Sequence, residues 1–195
     1  MKRNLFALLL ILALNMLTAA QEKASAAPDR VKTDDNQSYL ILSTKRIETM
    51  EKELDEVAAK GYRVLYGAPT ISFDMALFLK RLETGENQPY TYKILATSRN
   101  KTMEKELNDR AAQGFRLLPR TIIFKQGFLT AEMVTVMERA PDSKVAYEYK
   151  LVEARKEVKL QEKIDAAMTD GFAPLTMITL GVNVIVMEKE TPAKQ

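Results

Sequence analysis

Basic residues are the side chains in this sequence that offer one chemistry at repeated positions. Arg46, Arg99 and Lys156 each lie between a predicted strand and a predicted helix, and Arg63 and Arg116 recur at the start of the following strand. Free amides at a helix N-terminus attract anions, and a neighbouring cation adds to that attraction. The spacing predicts two or three weak sites for phosphate, sulfate or carboxylate groups. The alternative is that duplication copied solvent-facing arginines that bind nothing.

The residue types restrict the catalytic chemistry that is available. The chain has no histidine and no cysteine, so it lacks the commonest general base, the commonest transition-metal ligand and a thiolate nucleophile. Ser98 and Lys101 match the S-x-x-K pattern of penicillin-recognising serine enzymes, but the accompanying S-D-N and K-T-G elements are missing. The run Asp34–Asn36 lacks the alternating ligand spacing of a calcium loop. No cofactor, metal or catalytic residue is predicted.

Carboxylates are the remaining groups that might support catalysis. Most of them fall on predicted helix surfaces, as Glu51, Glu53, Glu104 and Glu106 do, where solvation explains them. An enzyme that works through Asp, Glu, Tyr or Lys alone therefore stays open as an alternative function.

A segment that occurs three times determines how these residues are placed. Tyr39–Leu65 and Tyr92–Leu118 are identical at 16 of 27 positions without a gap, and Tyr149–Leu175 is a more distant copy that keeps Tyr-Lys and Gly-Phe in register. Unrelated segments would share roughly two positions. Three repeats are predicted, over residues 38–82, 90–139 and 145–190.

Each copy contains the signals of one helix and three strands. A β-rich run is followed by a helix, for which Thr49 and Thr102 are the predicted N-caps. The helix ends at a glycine that must adopt a left-handed conformation: Gly61, Gly114 or Gly171. Two further strands follow, and in the middle copy an insert predicts an extended hairpin with Gly127 at its tip.

The predicted fold class is α+β: three tandem β-α-β-β repeats that form mainly antiparallel sheet, with the helices packed on one face. The repeats are expected to share a sheet, in two layers or with pseudo-threefold symmetry. Tyr90 with Tyr92, and Tyr147 with Tyr149, lie two residues apart and predict a half-buried aromatic ladder.

The first 26 residues have the three-part plan of a secretory signal peptide. Lys2 and Arg3 precede an apolar run from Leu5 to Leu14, and small residues near positions 20 and 26 offer cleavage sites. We therefore expect a periplasmic or secreted protein with a flexible leader (27–37) and a short tail (191–195). The alternative is a membrane-tethered subunit that retains Leu5–Leu17 as an anchor.

The charge of the processed chain argues against nucleic acid as a partner. Removal of residues 1–26 leaves 26 basic and 25 acidic side chains, so a global basic field is absent. Without cysteine the chain has no disulfide, and its stability depends on a hydrophobic core.

The sequence around the second copy is similar to that of a known family. Tyr92-Lys-Ile-Leu, the helix residues Glu106-Leu-Asn and the run Gly114-Phe-Arg-Leu-Leu resemble a small bacterial domain family of unknown function. Members of that family usually have tryptophan after the glycine, where this chain has Tyr62, Phe115 and Phe172. The resemblance implies a strand–helix–strand–strand fold and no activity.

These observations predict an exported, non-enzymatic binding or interaction module of the bacterial envelope. Its expected partner is an unknown protein or anionic polymer, and the formation of oligomers stays open. The membrane becomes a partner only if the signal peptide is retained.

Overall fold

The computed structural model describes residues 37–71, 74–83, 89–126, 131–179 and 182–192, all of which belong to one compact unit, Asp35–Gln195. The predicted signal peptide and cleavage sites (1–26), most of the predicted leader (27–36), the predicted hairpin tip at Gly127 and the end of the tail (193–195) lie outside the described residues. Among the described residues, no helix is long and apolar enough to cross a membrane.

The strands form three antiparallel sheets, each built from one continuous stretch of sequence. The first sheet contains β1 (Tyr39–Thr44), β2 (Tyr62–Pro69) and β3 (Met75–Arg81). The second contains β4 (Thr91–Thr97), β5 (Arg116–Leu117), β6 (Ile123–Gln126) and β7 (Ala131–Arg139). The third contains β8 (Val145–Ala154), β9 (Ala173–Thr179) and β10 (Asn183–Pro192). The last strand of each stretch lies at the centre of its sheet, so β1, β4 and β8 are edge strands.

The edge opposite β4 is broken in the second sheet. A short 3-10 turn, Pro119–Thr121, separates β5 from β6, and both strands pair with β7. Proline cannot donate to a strand ladder, which explains why the pairing stops there.

One helix follows the first strand of each sheet: α1 (Ile47–Ala58), α2 (Asn100–Ala111) and α3 (Glu157–Thr169). Their buried residues recur at spacings of three and four, as expected for an amphipathic helix. The buried positions are Met50, Leu54, Val57 and Ala58 in α1, Met103, Leu107 and Ala111 in α2, and Leu160 and Ala167 in α3.

The helices α1 and α2 lie between sheets. A single core cluster joins Leu40 and Leu42 of β1 to Leu54 of α1 and to Tyr92 and Ile94 of β4. A second cluster joins the second sheet, α2 and the third sheet in the same way, through residues such as Leu95, Leu107 and Tyr149. The third cluster contains only the third sheet and α3. The layers therefore alternate from the first sheet, through α1, the second sheet, α2 and the third sheet, to α3.

This arrangement confirms an α+β fold with antiparallel sheets and corrects two expectations. The three segments do not share one sheet, and α1 and α2 do not pack on one sheet face only. The physical reason is the second apolar face of the middle sheet. The run Met133–Met137 of β7 is buried without alternation, which requires cover on both faces.

The helices also begin earlier than predicted. Arg46, Arg99 and Lys156 occupy the N-cap positions in extended conformation and make no side-chain capping bond, so Thr49 and Thr102 lie inside the helices. In α1 the earlier start brings Ile47 into contact with the core.

The prediction for the glycines at the helix ends is confirmed. Gly61, Gly114 and Gly171 have φ angles of 85°, 86° and 88°. This is the left-handed region, in which a residue with a Cβ atom is strained.

We predict that Gly114→Val lowers the free energy of unfolding by about 2 kcal/mol, because the left-handed conformation disfavours a β-branched residue. A Cβ atom at this position would also lie 3.3 Å from Cδ of Arg139. Arg99→Ala is the control and should change stability by less than about 0.5 kcal/mol. Urea denaturation measures both, and equal stabilities would show that the helix end does not depend on the glycine.

Candidate functional site

Three of the five predicted anion-binding residues lie at the helix starts. Arg46, Arg99 and Lys156 immediately precede α1, α2 and α3, and all three residues are exposed. The backbone N–H groups of Arg46 and Arg99 donate to the hydroxyl oxygens of Thr44 and Thr97 at 3.4 and 3.3 Å. Anion binding at these positions stays a prediction.

The other two, Arg63 and Arg116, bind carboxylates of this chain. Nε and Nη2 of Arg63 donate to the two carboxylate oxygens of Glu138 at 3.1 and 2.6 Å. Arg116 makes the same pair of bonds to Glu188, at 3.1 and 2.8 Å. In both cases the arginine belongs to one sheet and the glutamate to the next, so each ion pair ties two layers together.

Each of these arginines also stacks on a tyrosine. The guanidinium carbon of Arg63 lies 4.3 Å from the ring centre of Tyr90, and that of Arg116 lies 4.9 Å from the ring of Tyr147. The hydrogen bond to its glutamate raises the pKa of each arginine. A planar, two-bond pair of this kind is among the stronger polar contacts in proteins.

Two buried tyrosines form the second link between layers. The hydroxyl of Tyr92 accepts the backbone N–H of Val64 at 3.2 Å, where the pairing register of β2 shifts. The hydroxyl of Tyr149 accepts the N–H of Leu117 at 2.8 Å and donates to Glu188 at 2.9 Å. Each tyrosine therefore reaches from its own sheet to the backbone of the preceding sheet.

Helix side chains form the third link, at the open edges of β4 and β8. Glu51 of α1 accepts the N–H of Ile94 at 2.8 Å, and Glu104 of α2 accepts the N–H of Leu151 at 2.6 Å. Asn108 adds two bonds to the backbone of Tyr149, at 2.8 and 2.9 Å. These side chains satisfy edge amides that no strand pairs with.

The third sheet lacks the groups that make these links. Ala173 pairs with Glu188 in the ladder, in the place where Arg116 pairs with Glu138. The next residue, Pro174, has no N–H group for a tyrosine hydroxyl to accept. On α3, Gln161 stands at the position of Glu104, and its amide donates to Asp165 at 2.8 Å. This end of the layered unit presents a largely polar helix surface.

The first sheet, at the other end, has an exposed aromatic face. On its side away from α1, Tyr39, Ile41 and Tyr66 are exposed by 51%, 58% and 44%. The ring of Phe78 stacks on Tyr39 and on Tyr66, with centre-to-centre distances of 5.4 and 4.9 Å. We call Tyr39, Ile41, Tyr66 and Phe78 the open face. The three aromatic rings form one stack with Phe78 in the middle.

A groove beside α2 and α3 has a volume of about 380 Å³. Its lining carries both signs of charge, from Lys101, Lys150, Lys163, Glu104 and Glu153. Lys150 is paired with Asp170, Glu104 binds the edge of β8, and Lys163 donates to the carbonyl of Glu153. These charged groups already have partners within the protein.

The tyrosines with strongly raised pKa values have structural roles. Burial raises the pKa of Tyr92 and Tyr149 above the ordinary value of 10, and both hydroxyls serve as structural hydrogen-bond partners. Within the described ranges, no group of three or more carboxylates is placed to hold a metal ion.

Comparison with known proteins gives no match: no family model, no curated protein and no solved structure is similar to this chain.

Sequence reasoning missed the role of the glutamates. Glu51 and Glu104 were interpreted as solvated, and the structure places them on the backbone of the next sheet. Tyr92 and Tyr149 were expected in a half-buried ladder, and they are almost fully buried. Glu51 and Glu104 occupy the same position in the first two similar segments, and this identity could have indicated that they make the same contact. Identity between two such segments can also come from common ancestry alone, so it did not predict the contact.

We predict that Arg63→Ala lowers the free energy of unfolding by about 1–3 kcal/mol, because it leaves the mostly buried Glu138 without its partner. Arg46→Ala is the matched control, since its side chain makes no capping bond, and it should cost less than about 0.5 kcal/mol. Urea denaturation compares the two. An equal loss would show that the ion pair contributes nothing specific.

We predict that stability falls as the pH rises above about 10. The folded state keeps Tyr92 and Tyr149 neutral, whereas the unfolded chain releases their protons, so the unfolded state gains up to about 1.4 kcal/mol per pH unit for each tyrosine. Denaturation curves between pH 8 and pH 11 should show this fall, and Tyr149→Phe should reduce its slope. Tyr39→Phe, at an exposed position, should leave the slope unchanged. A flat profile for the unmodified protein would contradict this.

Proposed function

We propose that this protein is an exported, non-enzymatic interaction module of the bacterial envelope and that it binds a partner protein through the open face. The observation that carries the proposal is the combination of exposed aromatic residues with an edge strand, β1, on that face. Exposed contiguous apolar surface on a soluble protein marks an interaction site more often than it marks a structural need.

We further propose that the chain consists of three tandem β-α-β-β repeats, over residues 38–82, 90–139 and 145–190. Each sheet has a strand, a helix and then two strands, the first of which is divided into β5 and β6 in the second sheet, and this order supports the proposal. So do the paired contacts: Arg63 with Glu138 matches Arg116 with Glu188, and Glu51 with Ile94 matches Glu104 with Leu151. On this proposal the third repeat closes one end of the array and the first leaves its end open.

A protein fits the open face better than an anionic polymer does. Phe78 is stacked between Tyr39 and Tyr66, so both faces of its ring and one face of each tyrosine ring are closed to a stacking sugar. Lys80 is exposed on β3, opposite Tyr39 in the ladder, and supplies a cation at the rim. An apolar centre with a polar rim is the usual composition of a protein interface.

The test is cross-linking in the native envelope with mass spectrometry of the captured molecules and of the N-terminus. Ile41→Glu introduces a charge at the open face and should abolish capture. Val158→Glu changes another exposed aliphatic residue, on α3 at the far end, and should leave capture intact.

Both positions are exposed, by 58% and 72%, so neither change should impair folding, and circular dichroism checks this. If both variants capture the same molecules as the unmodified protein, the open face is not the binding surface. A start near Gln21 or Ala27 is expected for the exported protein, and a full-length chain in the membrane fraction would favour the membrane-tethered alternative.

A further inference from the structure

The protein contains two examples of how an open sheet face is covered. Helix α1 packs on Tyr92 and Ile94 of the second sheet, and Glu51 accepts the edge N–H of Ile94. Helix α2 packs on the third sheet in the same way, with Glu104 on the N–H of Leu151. In both, an amphipathic helix buries the apolar residues and one carboxylate satisfies the strand edge.

The open face of the first sheet presents the corresponding positions. In the ladders, Ile41 pairs with Phe78 as Ile94 pairs with Val136 and Leu151 pairs with Val186. The backbone N–H of Ile41 therefore occupies the place of the two amides, those of Ile94 and Leu151, that donate to a glutamate carboxylate. On the described residues no hydrogen bond from that amide to a helix side chain is found.

One charge on this face is reversed. Tyr92 pairs with Glu138 and Tyr149 pairs with Glu188, and these glutamates bind the arginine of the preceding layer. Tyr39 pairs instead with Lys80. An arginine approaching the first sheet in the same way would be repelled, whereas an aspartate or glutamate would be attracted.

We propose that the open face binds an amphipathic helix of a partner protein. The helix places apolar residues on Tyr39, Ile41 and Phe78, one carboxylate on the N–H of Ile41, and a second acidic residue near Lys80. This inference rests on the proposed function and specifies its partner. The binding mode is that of α1 on the second sheet, with the charge at the rim inverted.

A second copy of this chain fits the open face less well. Its exposed helix, α3, carries Gln161 and Asp165 hydrogen-bonded to each other, and the adjoining Ala173 and Pro174 offer neither a charge for Lys80 nor an N–H for the hydroxyl of Tyr39. Residues 27–36, which directly precede the described part of the chain, contain Val31 as their one large aliphatic side chain, too few for an apolar stripe.

The experiment places the photo-cross-linker p-benzoylphenylalanine at Tyr66 of the full chain in its native envelope and identifies the cross-linked peptide by mass spectrometry. The expected peptide comes from another protein and has apolar residues at helical spacing together with acidic residues. A synthetic peptide of that sequence, added to the labelled protein, should shift the amide resonance of Ile41. Replacing its edge-facing acidic residue with alanine should weaken binding about tenfold.

Capture of an extended segment of another protein that pairs with β1, or of α3 from a second copy, would overturn the inference while leaving protein binding at the open face in place. Capture of a polymer, or of the chain's own N-terminal segment, would overturn both the inference and the proposed function. The absence of any cross-link, together with an Ile41→Glu variant that behaves like the unmodified protein, would overturn both.

Charge variants give an independent readout. Lys80→Glu should reduce capture of the same peptide at least tenfold, because the acidic helix then meets a like charge. Lys52→Glu makes the same change of charge at an exposed position on α1 and should have no effect. Equal capture by the two variants would show that the partner carries no acidic residue opposite Lys80.

Discussion

The need to cover both faces of a sheet and its open edge at the same time governs the whole structure. A helix on a sheet buries side chains but leaves the edge amides without partners, and an unpaired edge invites aggregation. Here the apolar stripe of the helix buries the side chains of the sheet, and a glutamate on the same helix accepts a hydrogen bond from an edge amide. Because the helix and the edge belong to different segments of sequence, each segment depends on the one before it.

The ion pairs between layers restrict how the layers are placed. A buried carboxylate such as Glu138 is costly to remove from water unless its oxygens are hydrogen-bonded, and Arg63 supplies two bonds in a fixed plane. The guanidinium is held in turn against Tyr90. Apolar packing between a helix and a sheet tolerates sliding, whereas the two planar hydrogen bonds between Arg63 and Glu138 form in only one relative position of the two sheets. The ion pair therefore contributes to the register between layers as well as to stability.

Local structure was predictable from sequence, whereas the packing of the segments was not. The glycines at the helix ends and the apolar stripes act within a few residues, and their predicted roles are confirmed. The stacking of sheets depends on contacts between residues about 40 to 75 positions apart, such as Glu51 with Ile94 and Arg63 with Glu138, and periodicity holds no information on these. The threonine cap of α1 was misplaced because Ile47, two residues before Thr49, packs against the core. The largely apolar run Met133–Met137 of β7 and the run Val184–Met187 of β10 were local signs that a sheet would be covered on both faces.

Pro174 has a consequence for how a chain of this kind can lengthen. A segment added after residue 192 would need a backbone N–H at position 174 for its tyrosine and an arginine at position 173 for its glutamate. The chain has proline and alanine there. A segment added before residue 37 would find Tyr39 at the position of Tyr92 and Tyr149. It would need only an acidic residue in place of Lys80 to bind its arginine. On the proposal that the three segments are repeats, lengthening by a further unit of the same kind therefore has a direction, which favours the amino-terminal side of the described residues.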